Sequence, residues 1–508
     1  MRTKKALKNA ISSIMSYMVL TAMVFIVQRV FKDTLGVEYI GLDGLFNNII
    51  SCLAIAELGF GSAIVVNLYK PVRDNNIPEI KALMGFYKKI YRYIAIVVFV
   101  LGMIILPFVE KIVGTVQIPL NIKLLYLLYL FDVVVSYFVT YKRSILYANQ
   151  QNYYITAIHT VVAFTTYILR ILVLLMFKNY YLYIFTSVLM RLIENIVINI
   201  LVNKIYPYIK DKDVDNISEQ VKDDIFKKVK GLFFHKIASF IVNGTDNIII
   251  AMVPGLGVVM VGIYSSYTII TEKLIGIITT VFGSITSSVG NLLVEGDREK
   301  NYTIFTNLNY VISWVYIFSS ISLYYVSFPF VEIWMGKDMV LDSVTVFIIS
   351  LKLFVSGIRM TFSMFKEAAG VFYEDRYVPI IESVLNLVLS IPMAFAWGLK
   401  GVLIGTICST MLLYVYTYPK YVYGIILNKD IKIYCKDMFV IIVRFVLCFV
   451  STQIVMGFIN CSNVFVQLAF TLMVCVFVPN IIMIIMTNKS KEFVYFKTLA
   501  LSMIKRKS

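Results

Sequence analysis

Long apolar runs separated by short polar turns extend from residue 10 to residue 487. A hydrocarbon core about 30 Å thick needs roughly 20 apolar residues to be crossed as a helix. About fourteen runs reach this length. The predicted spans are 10–31, 39–67, 90–109, 122–147, 153–177, 180–203, 232–253, 257–291, 303–326, 340–365, 378–398, 401–424, 435–458 and 463–487. The pattern therefore predicts an all-α, polytopic membrane protein.

The stretch from Leu35 to Gly114 recurs about 221 residues later, between Leu256 and Gly336. Both copies run in the same direction, and a repeat this long is not a solenoid unit, whose period is roughly 20–50 residues. The matched segments are Leu35-Gly36-Val37 with Leu256-Gly257-Val258, Gly41 with Gly262, Pro107-Phe108-Val109-Glu110 with Pro329-Phe330-Val331-Glu332 and, more faintly, Tyr141-Lys142 with Phe365-Lys366. The sequence therefore predicts two pseudo-symmetric six-helix lobes in parallel orientation.

The repeat and the polar stretches together predict four regions. Residues 1–203 form the first six-helix lobe and residues 231–425 the second. Between them, 204–230 is the most polar stretch of the chain and is predicted to be a cytoplasmic linker. Residues 426–508 hold two extra spans and a basic cytoplasmic tail, and these two spans have no counterpart in the first half.

Composition and charge support a membrane protein and fix its predicted orientation. Of the 508 residues, 59% are hydrophobic and only 15% are charged, and the mean hydropathy is +0.81. The net charge of +17 does not indicate nucleic-acid binding, because about 34 of the 47 Lys and Arg residues lie in alternate loops and tails. This positive-inside pattern predicts that both termini are cytoplasmic. The first apolar run is too long for a signal-peptide core and is predicted to be a retained span.

Signatures of catalysis and of metal binding are missing from the sequence. It contains no Gly-x-x-x-x-Gly-Lys-Ser/Thr phosphate loop and no His-Glu-x-x-His motif, and its only histidines are His159 and His235. The six cysteines form no Cys-x-x-Cys pair. We therefore expect no enzyme activity, no cofactor and no metal, and the chain is predicted to be a transporter.

Charged residues inside the predicted spans are the most informative positions. The basic ones are Arg170, Arg191, Lys273, Lys352, Arg359 and Arg444, and the acidic ones are Glu57, Asp132, Glu194, Asp246, Glu272 and Glu382. Facing lipid, each would cost roughly 2.5–3.5 kcal/mol, and the sum would exceed a typical net stability of about 5–15 kcal/mol. Most must therefore face protein or water. One interpretation is mutual pairing, as for Arg191 and Glu194 three residues apart.

A second interpretation is a path for an anionic substrate. Lys352, Arg359 and Lys366 recur every seven residues and so share one helix face, and Lys142 is the repeat-equivalent of Lys366. Guanidinium groups bind phosphate oxygens through two parallel hydrogen bonds. These residues, together with Arg170, Arg191 and Lys273, are the candidates for a substrate cavity. Positive-inside topology alone also places lysines at loop ends, and Arg359 is near enough to a span end to reach the interface.

Two intramembrane acids are candidates for ion coupling. Asp246 follows Asn243-Gly244-Thr245, and Glu57 lies in the second predicted span. A carboxylate in such a position can bind Na⁺ or carry a proton. The alternative is a hydrogen bond between helices beside a glycine contact.

Several motifs resemble those of a known transporter family. They are Leu35-Gly36-Val37-x-x-x-Gly41-Leu42, Glu57-Leu58-Gly59-Phe60-Gly61 and Asp246-Asn247-Ile248-Ile249-Ile250, in a chain of about fourteen spans. The chain resembles the Wzx-type polysaccharide flippases of the multidrug/oligosaccharidyl-lipid/polysaccharide (MOP) exporter superfamily. Nearly the whole chain takes part in the resemblance.

The resemblance implies two six-helix lobes arranged as a V that work by alternating access. The implied substrate is a polyprenyl-pyrophosphate-linked oligosaccharide, moved across the bacterial cytoplasmic membrane for capsule or exopolysaccharide assembly, with membrane lipids and a polysaccharide polymerase as further partners. The last two spans would form a groove for the lipid tail, where Arg444 lies. The near balance of acidic and basic residues in the spans departs from the basic cavity usual in this family.

Three other functions are open at this point. A cation-coupled multidrug exporter of the same superfamily should have an acidic, aromatic cavity and no need for the two extra spans. A lipid II flippase would share the polyprenyl-pyrophosphate part of the substrate. A membrane glycan polymerase or ligase needs a long external loop with catalytic residues, and the sequence has none.

Overall fold

The computed structural model describes residues 2–57, 60–114, 118–210, 217–294, 297–371, 374–459 and 461–505. These residues form helices joined by short turns, with no strand among them. Two compact units divide the chain, Met1–Tyr267 and Thr268–Ser508. The all-α architecture predicted from the apolar pattern is confirmed, whereas the predicted lobe boundaries stay a prediction. Residues 211–216 of the predicted linker lie outside the described part.

The helices that belong to the first unit begin with a long N-terminal helix and end in α11, which continues into the second unit. They are α1 (Arg2–Leu35), α2 (Val37–Leu53), α3 (Phe60–Arg73), α4 (Ile77–Ile105), α5 (Val109–Val113), α6 (Ile122–Ala148), α7 (Asn152–Phe177), α8 (Tyr180–Ile205), α9 (Glu219–Gly244), α10 (Asp246–Met252) and α11 (Gly257–Phe282). Within this unit α1 packs on α7, and α6 packs on α4 and on α8.

The second unit contains eight more helices and one π-helical segment among its described residues. They are α12 (Thr286–Val294), α13 (Arg298–Met335), α14 (Ser343–Ala368), α15 (Val378–Trp397), α16 (Leu399–Leu412), the π-helix Leu413–Ile426, α17 (Ile431–Met456), α18 (Val464–Thr487) and α19 (Lys491–Lys505). Here α13 packs on α14 and α18, α15 packs on α16, and α17 packs on α18.

Within the described residues, 13 helical segments are long and apolar enough to cross a membrane, so the chain is a multi-pass membrane protein. The predicted span 232–253 is not among them. The helix that covers its first part, α9, starts in a charged segment and ends at Gly244, and α10 adds only seven residues. The predicted span 39–67 is also interrupted, because a 3₁₀ turn over Ala54–Glu57 separates α2 from α3.

The repeated glycines explain one close contact inside the first unit. A Cβ added to Gly41 would lie 1.9 Å from the carbonyl oxygen of Val258, and one added to Gly262 would lie 2.4 Å from that of Val37. Each copy of the Val-x-x-x-Gly motif thus places its glycine against the valine backbone of the other copy. Helices approach this closely only where a side chain is missing.

Short polar side chains and glycines fix the helix ends. Asn121 and Asn179 cap α6 and α8 by accepting hydrogen bonds from the backbone N–H of Leu124 and Leu182, at 3.0 and 3.1 Å. Helices α13 and α15 end at glycines with positive φ, Gly336 at 97° and Gly398 at 61°. Such residues set the length of each span.

Asp342 caps α14 and lies outside the membrane-spanning helices. One carboxylate oxygen accepts a hydrogen bond from the backbone N–H of Thr345, at 3.2 Å, and lies 3.1 Å from Nζ of Lys400. Burial alone would raise the pKa of Asp342, but the hydrogen bonds from Thr345 and Lys400 outweigh it, so the pKa lies below the usual 3.8. The charged carboxylate therefore stabilises the folded state above the unfolded pKa, and this contribution is lost as the pH falls through the lowered folded pKa.

We predict that Asp342→Asn lowers thermal stability slightly at pH 7, because asparagine keeps the cap but not the ion pair with Lys400. The unmodified protein and the variant would be unfolded by heat in detergent, from pH 7 down to below 3.8. The difference between their unfolding temperatures should become smaller as the pH falls. A difference in unfolding temperature that grows as the pH falls would contradict the stabilising role of the charged Asp342 carboxylate.

Candidate functional site

A cavity of about 550 Å³ lies within the first unit. This volume is in the range of small-molecule binding pockets, roughly 300–1,000 Å³. Helices α3, α4 and α6 and the start of α7 contribute its walls. Its polar lining consists of Glu57, Tyr69, Tyr91, Thr140, Arg143, Ser144, Tyr147 and Asn152. The cavity therefore presents one carboxylate, one guanidinium and a ring of hydroxyl and amide groups.

Glu57 owes its position to the break between α2 and α3. Its Oε1 accepts a hydrogen bond from the hydroxyl of Tyr91 on α4, at 3.1 Å. A Cβ added to Gly61 would lie 2.7 Å from the same carboxylate oxygen, so a larger residue there would displace the Glu57 side chain. Glu57 thus lines the cavity, and its role in ion coupling stays a prediction. Leu58 and Gly59 of the same motif lie outside the described residues.

Arg143 joins the cavity to a buried charge network. Its guanidinium donates to Oε1 of Glu194 on α8, at 3.1 Å, and the Glu194 side chain is only 3% exposed. The Nε of Arg143 is buried and has no hydrogen-bond partner among the described residues. That atom is shielded from the cavity, so an anion or water there would be bound by other N–H groups of the guanidinium, which carries five.

Glu194 is the acceptor for three cationic or titratable side chains. Besides Arg143, Nδ1 of His159 on α7 lies 3.4 Å from it, and Arg191, one turn earlier on α8, lies 3.6 Å from it. Arg191 also reaches Asp132 on α6, with two nitrogen–oxygen distances of 3.3 and 3.4 Å. The pairing of Arg191 with Glu194, one of the two interpretations of the sequence, is present in the structure.

Lys142, next to Arg143, does not line the cavity. Its Nζ donates to the side-chain oxygens of Asn199 and Asn203 on α8, at 2.5 and 2.6 Å, and the residue is 7% exposed. Neutral amides therefore hold this buried cation. A lysine that is not neutralised by a carboxylate attracts anions more strongly than a paired one.

Arg170 lies in a tyrosine-rich cluster elsewhere in the first unit. Its guanidinium stacks over the ring of Tyr183, with 4.3 Å to the ring centre, and donates to Ser187. It also interacts electrostatically with Asp43, which accepts a short hydrogen bond from Tyr129. Sequence analysis did not select Asp43, although this residue lies inside the predicted span 39–67 and a search for every acid within a span would have found it.

Asp246, the other candidate for ion coupling, opens α10 and is 3% exposed. The hydroxyl of Tyr264 donates to its Oδ2, at 3.3 Å, and the neighbouring Asn247 has a buried side-chain oxygen without a hydrogen-bond partner among the described residues. Asp246 and Glu57 occupy different places in the first unit, since Asp246 does not line the 550 Å³ cavity.

In the second unit, Lys352, Arg359 and Lys366 all lie on α14, as their seven-residue spacing predicted. Two of them are paired with acids from the next stretch of chain. Arg359 lies 3.7 Å from Glu382 on α15, and Lys366 forms a direct ion pair with Asp375, whose side chain is fully buried. Lys352 is half-buried on the same helix, and Lys273 is half-buried on α11.

Arg444 lies on α17, one of the two spans appended to the second unit. Its guanidinium stands over the ring of Tyr310 on α13, with 5.4 Å to the ring centre. Roles in substrate binding, ion coupling and lipid binding for these candidates stay predictions. Their surroundings are now known, and Arg143 is the basic residue that sequence analysis did not select and that lines the cavity.

Comparison with solved structures identifies the fold. The chain is similar to the lipid II flippase MurJ in an inward closed conformation, with a TM-score of 0.64, 16% identity, and coverage of 94% of this chain and 98% of that one. It is also similar to an inward-facing multidrug resistance MATE family transporter of the MOP superfamily, with a TM-score of 0.61, 15% identity, and coverage of 79% and 95%. The Vibrio cholerae MATE transporter VcmN in its bent form gives a TM-score of 0.51, 14% identity, and coverage of 81% and 97%.

The chain therefore has the fold of MOP superfamily transporters. No protein-family model and no curated protein matches its sequence. Identities this low establish the architecture and leave the substrate to be argued from the site.

We predict that Glu194→Gln destabilises the protein more than Arg143→Gln does. Loss of Glu194 leaves three partners without their shared acceptor, whereas loss of Arg143 leaves Glu194 with Arg191 and His159. We expect about 3 kcal/mol for Glu194→Gln, the low end of the range for a broken buried pair, because its partners are partly exposed.

Thermal and denaturant unfolding in detergent would measure both variants. The control is Asp74→Asn, which removes the acid of an exposed pair with Arg73 and should change little. Equal losses for Glu194→Gln and Arg143→Gln would show that the network does not centre on Glu194.

Proposed function

We propose that this chain is a flippase that moves polyprenyl-pyrophosphate-linked oligosaccharide units across the bacterial cytoplasmic membrane by alternating access, for surface polysaccharide assembly. Both termini are cytoplasmic in this proposal, as the distribution of Lys and Arg indicates. The substrate has a charged pyrophosphate, a polar sugar chain and an apolar tail. A protein that moves it must offer a wet, polar site and a route for the tail through lipid.

The observation that carries this proposal is how much of the chain the solved structures account for. The structure of the lipid II flippase aligns with 94% of this chain, whereas the two MATE transporter structures align with only 79% and 81% of it. The MATE transporters are nevertheless matched over 95% and 97% of their own length. The difference is about as long as the segment 426–508, which holds the two extra spans. A transporter of lipid-linked sugars has this additional length in common with the chain, which supports the flippase over the multidrug exporter.

The lining of the 550 Å³ cavity supports the same class of substrate. A cation-coupled multidrug exporter was expected to have an acidic, aromatic cavity, but here Glu57 is matched by Arg143. The guanidinium of Arg143, which lines the cavity, suits a phosphate oxygen. Tyr69 and Tyr147, both exposed, offer ring faces and hydroxyls to sugars, and Asn152 offers an amide.

Glu194 would compete with the substrate for Arg143. The bound pyrophosphate would take over part of the hydrogen bonding that the carboxylate supplies in the empty site. When the pyrophosphate replaces a carboxylate that already binds the arginine, the free energy of binding is smaller than when an anion binds an arginine that has no partner. This favours a weak, reversible site, which transport needs because the substrate must leave on the other side.

The other basic candidates enter the proposal as further parts of the path. They are Lys352, Arg359 and Lys366 on α14, Lys142, Arg170 and Arg191 in the first unit, and Lys273 on α11. Asp246 and Glu57 are proposed for coupling to Na⁺ or protons, and Arg444 for the region of the lipid tail. A polysaccharide polymerase is the proposed acceptor of the flipped unit.

Lipid II transport is the second candidate function. The lipid II flippase structure covers 94% of this chain, and this coverage supports lipid II transport as directly as it supports oligosaccharide transport. The reason is that both substrates carry polyprenyl-pyrophosphate. The two functions differ in their cellular result. Loss of lipid II transport stops cell-wall synthesis, whereas loss of oligosaccharide transport removes surface polysaccharide.

We predict that Arg143→Gln and Arg359→Gln each reduce surface polysaccharide at least about tenfold, as expected for the loss of one charge-assisted contact. The variants would be expressed in cells deleted for the native gene, and polysaccharide would be quantified against the amount of protein in the membrane. Arg73→Gln, which changes an exposed arginine of the first unit in the same way, should leave polysaccharide unchanged.

Normal polysaccharide in both variants at normal protein level would contradict the proposed site. Lysis of the deletion strain, with intact polysaccharide per surviving cell, would instead favour lipid II as the substrate.

A further inference from the structure

A second polar cavity, of about 90 Å³, lies within the second unit among the appended helices. Helices α13, α17 and α19 line it. Since one water needs roughly 10–15 Å³ of such volume, the cavity has space for several waters or for one small headgroup. Its charged lining consists of Arg444 and Asp437 from α17 and Glu492 from α19. None of these residues lines the cavity of the first unit.

The depth of this cavity matches a boundary between lipid headgroups and acyl chains. Lys432 and Lys436 are exposed on the first turns of α17, and the last acid before the apolar run is Asp437. Arg444 follows seven residues later, about 10 Å deeper along the helix. A long arginine side chain at this depth extends back toward the polar boundary. The cavity between Asp437 and Arg444 therefore extends across the boundary where headgroups meet chains.

Arg444 offers unused hydrogen-bond donors to this cavity. Its guanidinium stacks on Tyr310, and in the described part of the chain it forms neither a hydrogen bond nor a direct ion pair. The Tyr310 hydroxyl is itself fixed by Thr487 at the end of α18, at 2.7 Å. A planar guanidinium held by a ring face and facing a polar cavity is well placed to bind a phosphate through two hydrogen bonds.

The carboxylates of Asp437 and Glu492 add negative charge to the lining, which also contains the positive charge of Arg444. Oδ2 of Asp437 is held by the hydroxyls of Tyr302 and Tyr423, at 3.1 and 2.7 Å. Asn309, which is 6% exposed, has a buried side-chain oxygen with no hydrogen-bond partner in the described part of the chain. The cavity thus contains one guanidinium, which can donate to a phosphate, and three acceptor groups, and this combination suits a ligand that carries both charges.

We propose that this cavity binds the zwitterionic headgroup of a resident aminophospholipid. The phosphate pairs with Arg444, and the primary ammonium donates to Asp437, Glu492 and Asn309. A pyrophosphate does not suit this lining, because two carboxylates face one guanidinium and the net charge is negative. Phe439 and Ile442, exposed on α17, provide apolar surface for the acyl chains. The proposal is independent of whether the chain flips an oligosaccharide.

Native mass spectrometry of the full-length protein tests this inference. The protein would be extracted from vesicles of equal parts phosphatidylethanolamine, phosphatidylcholine and phosphatidylglycerol, and the lipids retained at rising collision energy would be counted. We expect one phosphatidylethanolamine to be retained about tenfold more strongly than either competitor, because phosphatidylcholine lacks N–H donors and phosphatidylglycerol lacks the cation.

Arg444→Gln and Glu492→Gln should each abolish this preference. Lys432→Gln, which removes a charge from an exposed position of the same helix, should leave it intact. Retention of phosphatidylglycerol at least as strongly as phosphatidylethanolamine, or of no lipid at all, overturns the proposal. The order in which the three phospholipids are retained is measured on the unmodified protein. It therefore tests the proposed headgroup site even if both variants fail to fold.

Discussion

The cost of placing charge inside a membrane determines much of this structure. An unpaired charge at the centre of a bilayer costs roughly 2.5–3.5 kcal/mol or more, and the chain has about a dozen charged residues within its spans. The fold meets this constraint by pairing charged side chains with one another. Glu194 holds Arg143, Arg191 and His159 together, and Lys366 is paired with Asp375. The contacts of Glu194 with Arg143 and His159 join three different helices, whereas Arg191 lies on the same helix as Glu194 and Asp375 follows Lys366 closely in the chain.

The same constraint separates structural charges from charges that are available to a ligand. The pair of Lys366 with Asp375 is buried, and breaking it would leave a charge without compensation. Arg143 differs, because it is partnered by Glu194 on one side and lines a cavity on the other. A residue in this situation can exchange one anionic partner for another. This is the physical basis of the proposal that a pyrophosphate binds in the first unit.

Much of the architecture was predictable from sequence because the length of an apolar run is a local property of the chain. The spans are visible as runs of about 20 apolar residues, whereas the close contact between Gly41 and Gly262 appears only in the structure. The predicted spans 39–67 and 232–253 failed as continuous helices. Hydropathy averages over a window and does not register the 3₁₀ turn that ends at Glu57 or the break after Gly244.

The partners of the charged residues were less predictable, because pairing depends on packing. The spacing of Lys352, Arg359 and Lys366 correctly placed them on one helix, but it carries no information about Glu382 or Asp375, which come from the following segment. Arg143 and Asp43 were not selected from the sequence, although both lie within helices that are long and apolar enough to cross a membrane. Only three-dimensional contacts distinguish a lysine held by amides, such as Lys142, from one held by a carboxylate.

Transport by the purified protein shows directly whether the chain moves a lipid-linked sugar between leaflets. The unmodified chain would be reconstituted into vesicles containing a fluorescent polyprenyl-pyrophosphate-linked oligosaccharide, and movement of the sugar between leaflets would be followed by its accessibility to an external quencher. If the chain is a flippase, the lipid-linked sugar should move between leaflets faster than in protein-free vesicles. A cationic dye should show no efflux under an imposed Na⁺ or proton gradient. Dye efflux with no acceleration of the lipid-linked sugar would contradict the proposed flippase function.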